Sequence, residues 1–597
     1  MSPPFKYLII GPPGTGKTST AIRILEHLIG QKDHGEHLSK LGINLPYAQY
    51  NLDDLAFVSF QTSVIKEFAE RTGLTLDYHE GSETEFFGTF HAIAYRMARD
   101  HGLITNHNKQ YSPEEQFKYF LDQNGLRNQF DLSFAGFSNP SLKGNRIWLA
   151  LTKAIGVYYP KLRRGAYLKA KQMLEPELRK YIPLWIRWKK GQNPWEVELI
   201  DYNDMLISAY EGLKRGEIKP KFKVMLVDEA QDLNPLMWAI LDLLKPYLEG
   251  LILLGDPDQA IFGFSGADPK LLEEWDDREK DVIRVVLPQS YRLPKRIKAL
   301  AIRIIERTKN RKAKEFRPRD FEGFYHHGFL DVREPRDVEN FLKIIKKEAE
   351  RIAQERKYDD KIDILILART NALALKLARI LLRAQVKFEH LKSESHSIWE
   401  MGDKKIGTLG DFIDVLRKVK SGERLSFADY VVLLGYSKIA KNEEEFDRSI
   451  EALRSGNFPL DLWDLKRNPF SILDKAKILQ AIYPGVGRRE VSKWVNSPPA
   501  LAREFFSLIE DIITGRDKPL NLPEGIRIAV DTLHASKGRE GRTVIIWNQL
   551  TNKKWLSHYI TTREDFDNEL RAWYVGVTRA LERLYILDGP FPFLETI

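Results

Sequence analysis

The first residues whose spacing suits a chemical task are Gly11, Gly16, Lys17 and Thr18, in the segment GPPGTGKT. Two glycines separated by four residues and followed by lysine and a hydroxyl residue are typical of a phosphate-binding loop. The glycines let backbone N–H groups approach phosphates, the lysine reaches the β- and γ-phosphates, and the hydroxyl binds Mg²⁺. The residues predicted to bind the nucleotide here are Gly11, Pro12, Gly14, Thr15, Gly16, Lys17, Thr18 and Ser19.

Two acidic residues follow a continuous apolar run, Val224–Val227, in the segment KVMLVDEAQD. An apolar run without alternation is typical of a strand covered on both faces. At the end of such a strand Asp228 is expected to hold Mg²⁺ through water, and Glu229 to polarise the attacking water. The alternative is an ordinary acidic turn between a strand and a helix.

A third apolar strand, Gly250–Leu254, leads into the segment GDPDQAIFGFSGADP. Here Gln259 is expected to orient water or to contact the γ-phosphate. Phe262 and Phe264 stand among glycines, which favours exposed rings that stack on bases. The alternative is a tight turn with two core phenylalanines.

The elements that must position the phosphate loop are also readable from the sequence. The apolar run Tyr7–Ile10 predicts a strand before the loop, and a helical period predicts a helix from Lys17 to Ile29 after it. A helix in this place adds the positive end of its dipole to the phosphate site.

Composition narrows the class of protein. At 597 residues the chain is too long for a single core, so about four domain-sized units are expected. Hydrophobic residues make up 43% and charged residues 29%, as in soluble globular proteins. No apolar run reaches the roughly 18 residues of a membrane span, so a cytoplasmic location is expected. The absence of cysteine excludes disulfides, thiolate zinc sites and cysteine nucleophiles.

The net charge of +9 is unevenly distributed. Residues 143–190, called here the basic stretch, contain thirteen Lys or Arg and only two acids, Glu175 and Glu177. Its interspersed aromatic residues are Trp148, Tyr158, Tyr159, Tyr167, Tyr181, Trp185 and Trp188. Basic groups that pair with phosphates and rings that stack on bases suit single-stranded nucleic acid. The equal alternative is a basic helical surface with its aromatics in the core.

An ordered series of segments resembles the superfamily 1 DNA helicases of the UvrD/Rep type and spans almost the whole chain. The segments are FVSFQTSV, GTFHAIAY, DYNDML, VDEAQD, GDPDQAIFGFSGAD, LPQSYRLPKRI, ILARTNALAL, DTLHASKGREGRTVII and ELRAWYVGVTRALERLYIL. The resemblance implies an α/β fold with two RecA-like P-loop NTPase cores, each a parallel sheet flanked by helices and carrying an inserted, mainly helical subdomain.

The resemblance also implies roles for residues far from the phosphate loop. Arg292 and Arg579 are expected to stabilise the charge on the γ-phosphoryl group. Tyr291 is expected to stack on the adenine, and Glu540, with Gly538 nearby, to contact the ribose. Besides Phe262 and Phe264, the residues expected to contact DNA are Phe60, Thr62, Thr89, Phe90, His91, Arg369, Thr370, Asn371, Thr532 and His534.

A glycine turn in the second half of the chain, YPGVGRREVSKWV, resembles the helix-hairpin-helix turn that contacts duplex phosphates. Gly485, Gly487 and Arg488 are therefore expected to bind one strand of a duplex. The alternative is a plain glycine turn between two helices.

Three features depart from the family pattern. No glutamine precedes Gly11, where the family usually has one that reads the adenine edge, so GTP or CTP use is also expected. Ser265 stands where the family often has an arginine, which removes one expected γ-phosphate contact. Phe264 replaces a tryptophan, so stacking is expected on a smaller ring.

The motif spacing predicts four units built from six segments. The first core comprises residues 1–92 and 197–288, and the inserted helical subdomain that binds single-stranded DNA comprises residues 93–196. The second core comprises residues 289–390 and 523–597, with a helical insertion at 391–522 that is a possible duplex contact. A strand is expected to restart at Ile526–Val530, and the charge-dense segment Arg303–Arg319 is expected to be a solvated helix.

The resulting hypothesis is an ATP- and Mg²⁺-dependent motor that moves 3′→5′ on single-stranded DNA and unwinds duplexes at single-strand/double-strand junctions. One alternative is a DNA-stimulated ATPase that strips proteins from DNA with little unwinding. Another is a nucleic-acid-binding regulator that does not hydrolyse ATP. RNA as the track, the pathway and the protein partners stay open.

Overall fold

The computed structural model describes residues 4–59, 62–77, 82–104, 112–126, 143–309, 311–355, 361–389, 402–403, 406–440, 442–457, 459–482, 491–492, 495, 500–550, 560 and 562–594. Among these residues, no helix has the length and apolarity needed to cross a lipid bilayer. The chain divides into two compact units. Unit 1 comprises Met1–Gly323 and His558–Thr578, and unit 2 comprises Phe324–Ser557 and Arg579–Thr596.

Unit 1 is built on a parallel sheet. Its strands are β1 (Phe5–Ile10), β2 (Leu55–Val58), β3 (Phe87–Gly88), β4 (Val224–Val227), β5 (Gly250–Gly255) and β6 (Val282–Val286). They lie in the order β3-β2-β4-β5-β1-β6, with each neighbouring pair parallel. The carboxyl ends of all these strands therefore meet at one edge of the sheet.

Helices cover both faces of this sheet. The helices described between residues 17 and 305 are α1 (Lys17–Leu28), α2 (Gly35–Lys40), α3 (Thr62–Thr72), α4 (Phe90–Asp100), α5 (Pro113–Gln123), α6 (Lys143–Leu162), α7 (Gly165–Gln172), α8 (Tyr181–Lys189), α9 (Tyr202–Lys214), α10 (Pro235–Leu244), α11 (Pro269–Glu273), α12 (Trp275–Arg278) and α13 (Lys295–Ile305).

Alternation along β1 shows how the two faces are filled. Tyr7 and Ile9 pack into the core that includes residues of α1 and α3, whereas Leu8 and Ile10 pack into the opposite core. Successive side chains of a strand point to opposite faces, so an unbroken apolar run is what a strand between two helical layers needs. The second of these cores is continuous with the residues buried among α5–α8, so this helical region shares a core with the sheet.

Unit 2 has a second parallel sheet. Its strands are β7 (Phe324–Phe329), β8 (Ile362–Ala368), β11 (Ile528–Thr532), β12 (Gly541–Asn548) and β13 (Ala580–Asp588), and a separate small sheet contains β9 (Gly402–Asp403) and β10 (Gly407–Thr408). The main sheet has the order β11-β8-β12-β13-β7, with each neighbouring pair parallel.

The helices of unit 2 pack on this sheet and on one another. They are α14 (Pro335–Glu355), α15 (Asn371–Arg383), α16 (Leu409–Ser421), α17 (Phe427–Gly435), α18 (Glu443–Arg454), α19 (Leu462–Arg467), α20 (Pro469–Ile472), α21 (Lys475–Ile482) and α22 (Ala500–Thr514). One further helix, α23 (Arg563–Val577), lies in the chain segment that returns to unit 1. Two parallel sheets flanked by helices confirm the predicted α/β fold class.

Local pattern predicted the central elements of unit 1 well. The strand expected at Val224–Val227 is found there, and the strand and helix beside the phosphate loop extend over Phe5–Ile10 and Lys17–Leu28. The strand expected at Ile526–Val530 instead begins at Ile528, in register with Ile364 of β8.

The expectation of a solvated helix over Arg303–Arg319 is wrong. Helix α13 ends at Ile305, and residues 306–309 and 311–319 after it form turns and irregular chain rather than a helix. The Lys314 side chain is only 1% exposed because two aspartates of another loop surround its ammonium group. The predicted boundaries at residues 92, 196, 288, 390 and 522 stay predictions.

Candidate active site

The phosphate loop, residues 11–16, turns directly from β1 into α1. Gly14 and Gly16 adopt φ values of 72° and 81°, a region that glycine enters without steric cost. A Cβ atom on Gly14 would also collide with the Cβ of Arg292. The amine of Lys17 donates to the carbonyl of Gly11 at 2.9 Å, so the lysine folds back over the loop. This cradle, which a Cβ would fill, fits a bound phosphate.

The acidic pair lies at the end of the strand next but one to β1. Asp228 is buried directly after β4, and its backbone N–H donates to the carbonyl of Val58 at 2.8 Å. A carboxylate oxygen of Glu229 lies 3.9 Å from the amine of Lys17. Glu229 has a φ of 56°, a backbone conformation that costs a non-glycine residue on the order of 1 kcal/mol. The structure thus brings Lys17 and Glu229, both assigned to catalysis from the sequence, to the same edge of the sheet.

The loop after β5 lies at the same edge. Asp256 is buried, and its carboxylate accepts a hydrogen bond from the side-chain amide of Gln259 at 2.7 Å. The backbone N–H of Asp256 donates to the side chain of Gln231 at 2.9 Å, and Gln231 donates to Glu229 at 2.5 Å. Burial acts to raise the pKa of Asp256, but Lys314 and then Lys17 outweigh it and hold the pKa below its ordinary value.

Residues 290–292 lie directly on the phosphate loop. The Ser290 hydroxyl donates to the carbonyl of Pro13 at 2.7 Å, and the backbone N–H of Tyr291 donates to the carbonyl of Gly14 at 2.8 Å. The Tyr291 side chain is 71% exposed, so its ring is accessible to a planar ligand. Arg292 is half-buried against Gly14.

Sequence reasoning missed three residues of this site: Ser290, Gln231 and Lys314. Ser290 and Gln231 belong to segments that were recognised, but their hydrogen bonds join loops that are distant in the chain. Lys314 carried no signal beyond its place in a charge-dense run.

The residues expected to contact DNA in unit 1 differ in accessibility. The Thr89 hydroxyl caps α4 by accepting from the backbone N–H of Ala92 at 3.3 Å, and Phe90 is only 3% exposed in the core. The half-buried ring of His91 packs 5.4 Å from that of Tyr202. Burial lowers the pKa of His91 to about 4, against a smaller opposite effect of Asp201. Phe90 therefore supports the helix rather than a nucleic-acid surface.

The two phenylalanines after the third strand are neither freely exposed nor fully buried. Phe262 and Phe264 are half-buried and pack edge to face, with ring centroids 6.0 Å apart. Next to them, Ile261 packs against Ala572 and Val575 of α23. The C-terminal helix thus supports this loop within unit 1.

The aromatic residues of the basic stretch point mainly into the core. Trp148, Tyr159, Tyr181, Trp185 and Trp188 are each at most 8% exposed. The structure therefore favours the second sequence interpretation, a basic helical surface over an aromatic core. These five rings are too deeply buried to stack on bases.

Unit 2 separates its predicted site residues between two edges of one sheet. Arg369, Thr370 and Asn371 follow the carboxyl end of β8, beside Thr532 and His534 at the end of β11. Glu540, with Gly538 nearby, and Arg579 instead precede the amino ends of β12 and β13.

The residues of unit 2 that the sequence assigned to nucleotide binding lie close together. Gly541 donates its backbone N–H to the carbonyl of Arg579 at 3.1 Å. The Arg579 side chain is buried, and its guanidinium donates to the carbonyl of Arg539 at 3.5 Å. Glu540 and Arg579 are therefore neighbours within this unit.

Four residues predicted to bind DNA, Phe60, Gly485, Gly487 and Arg488, lie outside the described residues. Thr62 is described only as the first residue of α3.

Comparison with known proteins agrees with this arrangement. Residues 3–280 match the UvrD/REP helicase N-terminal domain, and residues 490–588 match the UvrD-like helicase C-terminal domain. The chain is 23% identical over 643 residues to the ATP-dependent DNA helicase PcrA of Bacillus subtilis, covering 98% of this chain and 80% of the relative. It is 24% identical over 659 residues to the ATP-dependent DNA helicase srs2 of Schizosaccharomyces pombe, covering 98% of this chain and 70% of that relative. With both family domains in order and relatives matched along nearly its entire length, the chain belongs to the UvrD/Rep-type helicases of superfamily 1.

Proposed function

We propose that this protein is an ATP-dependent DNA helicase that moves 3′→5′ along single-stranded DNA and unwinds duplex ahead of it. One observation carries the proposal: Lys17 of the phosphate loop lies 3.9 Å from Glu229, and residues 290–291 are hydrogen-bonded to the same loop. The names of the relatives, both ATP-dependent DNA helicases, support ATP and DNA as the substrates.

The geometry supports hydrolysis at the edge of the unit 1 sheet. Lys17 binds the β- and γ-phosphates, and Glu229 polarises the attacking water. Gln259 contacts the γ-phosphate or this water. Arg292 and Arg579 stabilise the charge that develops on the γ-phosphoryl group, a contribution of roughly 10³–10⁵ in rate in related systems.

Mg²⁺ fits the oxygen donors beside the phosphate loop. The Thr18 hydroxyl and the buried Asp228 carboxylate would hold it, since Mg²⁺ prefers oxygen ligands and keeps several waters. Held by these two residues, Mg²⁺ would supply positive charge that offsets the negative charge of the phosphates.

The adenine contact proposed here is stacking on Tyr291. The ring of Tyr291 is exposed, and its residue precedes Arg292 in the chain. The backbone N–H of Tyr291 holds it beside the phosphate loop by donating to the carbonyl of Gly14. Stacking accepts any base, so we expect use of GTP and CTP beside ATP.

The track is held through its backbone and by a few rings. The half-buried Phe262 and Phe264, with Thr89 and His91, provide the contacts of unit 1. Thr370, Asn371, Thr532 and His534, with Arg369, provide those of unit 2. Because phosphate contacts and stacking carry little base information, little sequence preference is expected.

Strand displacement on tailed duplexes tests this function. Duplexes with a 3′ or a 5′ single-stranded tail are incubated with each of the four nucleoside triphosphates, with ADP as a control. We expect displacement from the 3′-tailed duplex with ATP and none with ADP. Displacement from the 5′-tailed duplex alone would contradict the polarity.

The same preparation distinguishes unwinding from protein removal. Displacement of streptavidin from 5′-terminal biotin on single-stranded DNA, the end toward which a 3′→5′ motor moves, is measured beside duplex unwinding. Streptavidin displacement without unwinding would contradict the helicase assignment and favour a translocase that clears proteins. ATPase stimulation by poly-dT compared with poly-U tests DNA against RNA as the track.

A further inference from the structure

The segment after α13 contributes a buried cation to the loop that carries Gln259. The Lys314 side chain is only 1% exposed. A lysine is almost never buried to this extent unless it is paired with an acid. Its amine lies 2.7 Å from a carboxylate oxygen of Asp256 and 3.0 Å from one of Asp258. Arg311 of the same segment pairs with Asp258 at 2.9 Å. Two basic residues thus hold two carboxylates of one short loop.

Asp256 divides its two carboxylate oxygens between Lys314 and Gln259. Oδ1 accepts from the amine of Lys314, and also from the backbone N–H of Asp258 at 3.2 Å. Oδ2 accepts from the amide of Gln259 at 2.7 Å. The orientation of Gln259 therefore depends on a carboxylate whose charge Lys314 balances.

This arrangement connects to the rest of the candidate active site. The backbone of Asp256 is bonded to Gln231, which is bonded to Glu229, which lies beside Lys17. Lys314 and Lys17 act on Asp256 in the same direction, each favouring its charged form. A substitution of Lys314 is thus expected to affect the residues around the γ-phosphate indirectly, through Asp256.

We infer that Lys314 is a positioning residue for Gln259: by balancing the charge of Asp256, it lets the Gln259 amide leave Asp256 for the γ-phosphate during hydrolysis. The inference rests on the proposed function. Lys314 and Asp256 both lie in unit 1, so the pair acts within one compact unit.

A buried carboxylate such as that of Asp256 costs free energy when it has too few hydrogen-bond donors or cations beside it. A buried carboxylate that loses a hydrogen bond is stabilised if a cation remains beside it. Without Lys314, Asp256 would depend more strongly on the Gln259 amide. Turning Gln259 toward the nucleotide would then be harder, which slows the chemical step but leaves ATP binding nearly intact.

A double-mutant cycle on DNA-stimulated ATP hydrolysis tests the inference. The proteins are the parent, Lys314→Met, Gln259→Ala and the double variant, each with its folded fraction measured by thermal melting. We expect Lys314→Met to lower kcat about tenfold while the KM for ATP stays within about twofold. The double variant should be no slower than Gln259→Ala, because Lys314 acts through Gln259.

Arg311→Gln supplies the matched control. Arg311 lies in the same segment, but its guanidinium is hydrogen-bonded to Asp258 rather than to Asp256. The fold-losses of kcat caused by Arg311→Gln and by Gln259→Ala are expected to multiply when the two substitutions are combined. If Lys314→Met yields little folded protein, Lys314→Gln, which retains a donor but no charge, takes its place in the cycle with the same expected result.

Two results would overturn the inference. One is a double variant as slow as the product of the two single effects. The other is a Lys314→Met enzyme whose loss disappears once its folded fraction is taken into account. If DNA does not stimulate ATP hydrolysis by the parent protein, the proposed function itself is contradicted and the inference loses its basis.

Discussion

The phosphate-loop edge of unit 1 and the basic stretch were both singled out by residue type, yet the structure treats them differently. At the edge, Lys17, Glu229 and the Gln259 loop meet within hydrogen-bonding networks. In the basic stretch, the tryptophans turn into the core and most charged residues stay at the surface, whereas Lys189 is buried beside Asp201 and Asp204. A motif fixed to the end of a strand determines where its side chains point, whereas a mixture of residue types on helices does not.

The largest expected effect is that of Glu229→Gln at the phosphate-loop edge. Loss of the group that polarises water should lower kcat for ATP hydrolysis by about 10²–10⁴, since general-base contributions have this size. Binding of a fluorescent ATP analogue should change little, because the phosphate loop is retained. Steady-state hydrolysis and equilibrium binding measure the two effects.

Glu175→Gln is the matched control in the basic stretch. Glu175 is 49% exposed and pairs with Arg146 at the surface. Hydrolysis within about twofold of the parent is expected. If Glu175→Gln lowered kcat as much as Glu229→Gln, the contrast between the two regions would be contradicted.

The next effect concerns stability rather than chemistry. Trp185 is 1% exposed, and its indole N–H donates to Asp201 at 3.2 Å. Trp185→Ala is expected to lower the free energy of unfolding by about 3–5 kcal/mol, as for other buried tryptophans. Leu168→Ala, at a side chain 58% exposed on α7, should cost less than about 1 kcal/mol. Urea denaturation measures both, and equal losses would show that the ring is not a core residue.

A smaller effect is expected from the charges that the basic stretch leaves outside. Lys161, Arg163 and Arg164 are exposed. Their combined replacement by glutamine should weaken oligo-dT binding about tenfold and make the salt dependence of binding shallower by about 0.7 for each phosphate that is no longer neutralised. Binding is titrated at several salt concentrations with oligomers of different sequence. Lys343→Gln with Lys346→Gln, exposed on α14, serves as the control.

The smallest effect is a pH dependence of stability at His91. Burial lowers its pKa to about 4 in the folded protein, below the ordinary value of 6.5. The unfolded chain therefore binds a proton that the folded chain does not between pH 6.5 and 4. Stability should be complete above about pH 6.5 and fall by about 1 kcal/mol toward about pH 5.5.

His91→Asn provides the comparison for this pH effect, since it retains polarity without a titrating group. Unfolding midpoints are measured at intervals from about pH 7.5 to about pH 5.5, the range in which an ordinary histidine titrates. A parent and variant with the same slope over this range would contradict an uncharged His91.

Sequence predicted the elements whose pattern is local. The run Val224–Val227 and the strand–turn–helix around the phosphate loop carry their structure in adjacent residues. The partners of Ser290, Gln231 and Lys314 lie on other loops, so no local pattern could indicate them. A charge-dense segment was predicted to be solvated because the aspartates that bury Lys314 are contributed by a distant part of the chain.

We propose above all that single-stranded DNA stimulates ATP hydrolysis at the phosphate loop. The most direct measurement is the ATP turnover of the parent and of Lys17→Ala, with and without oligo-dT. We predict that oligo-dT stimulates the parent several-fold or more and that Lys17→Ala hydrolyses almost no ATP in either condition. Equal turnover by the two proteins would contradict the claim.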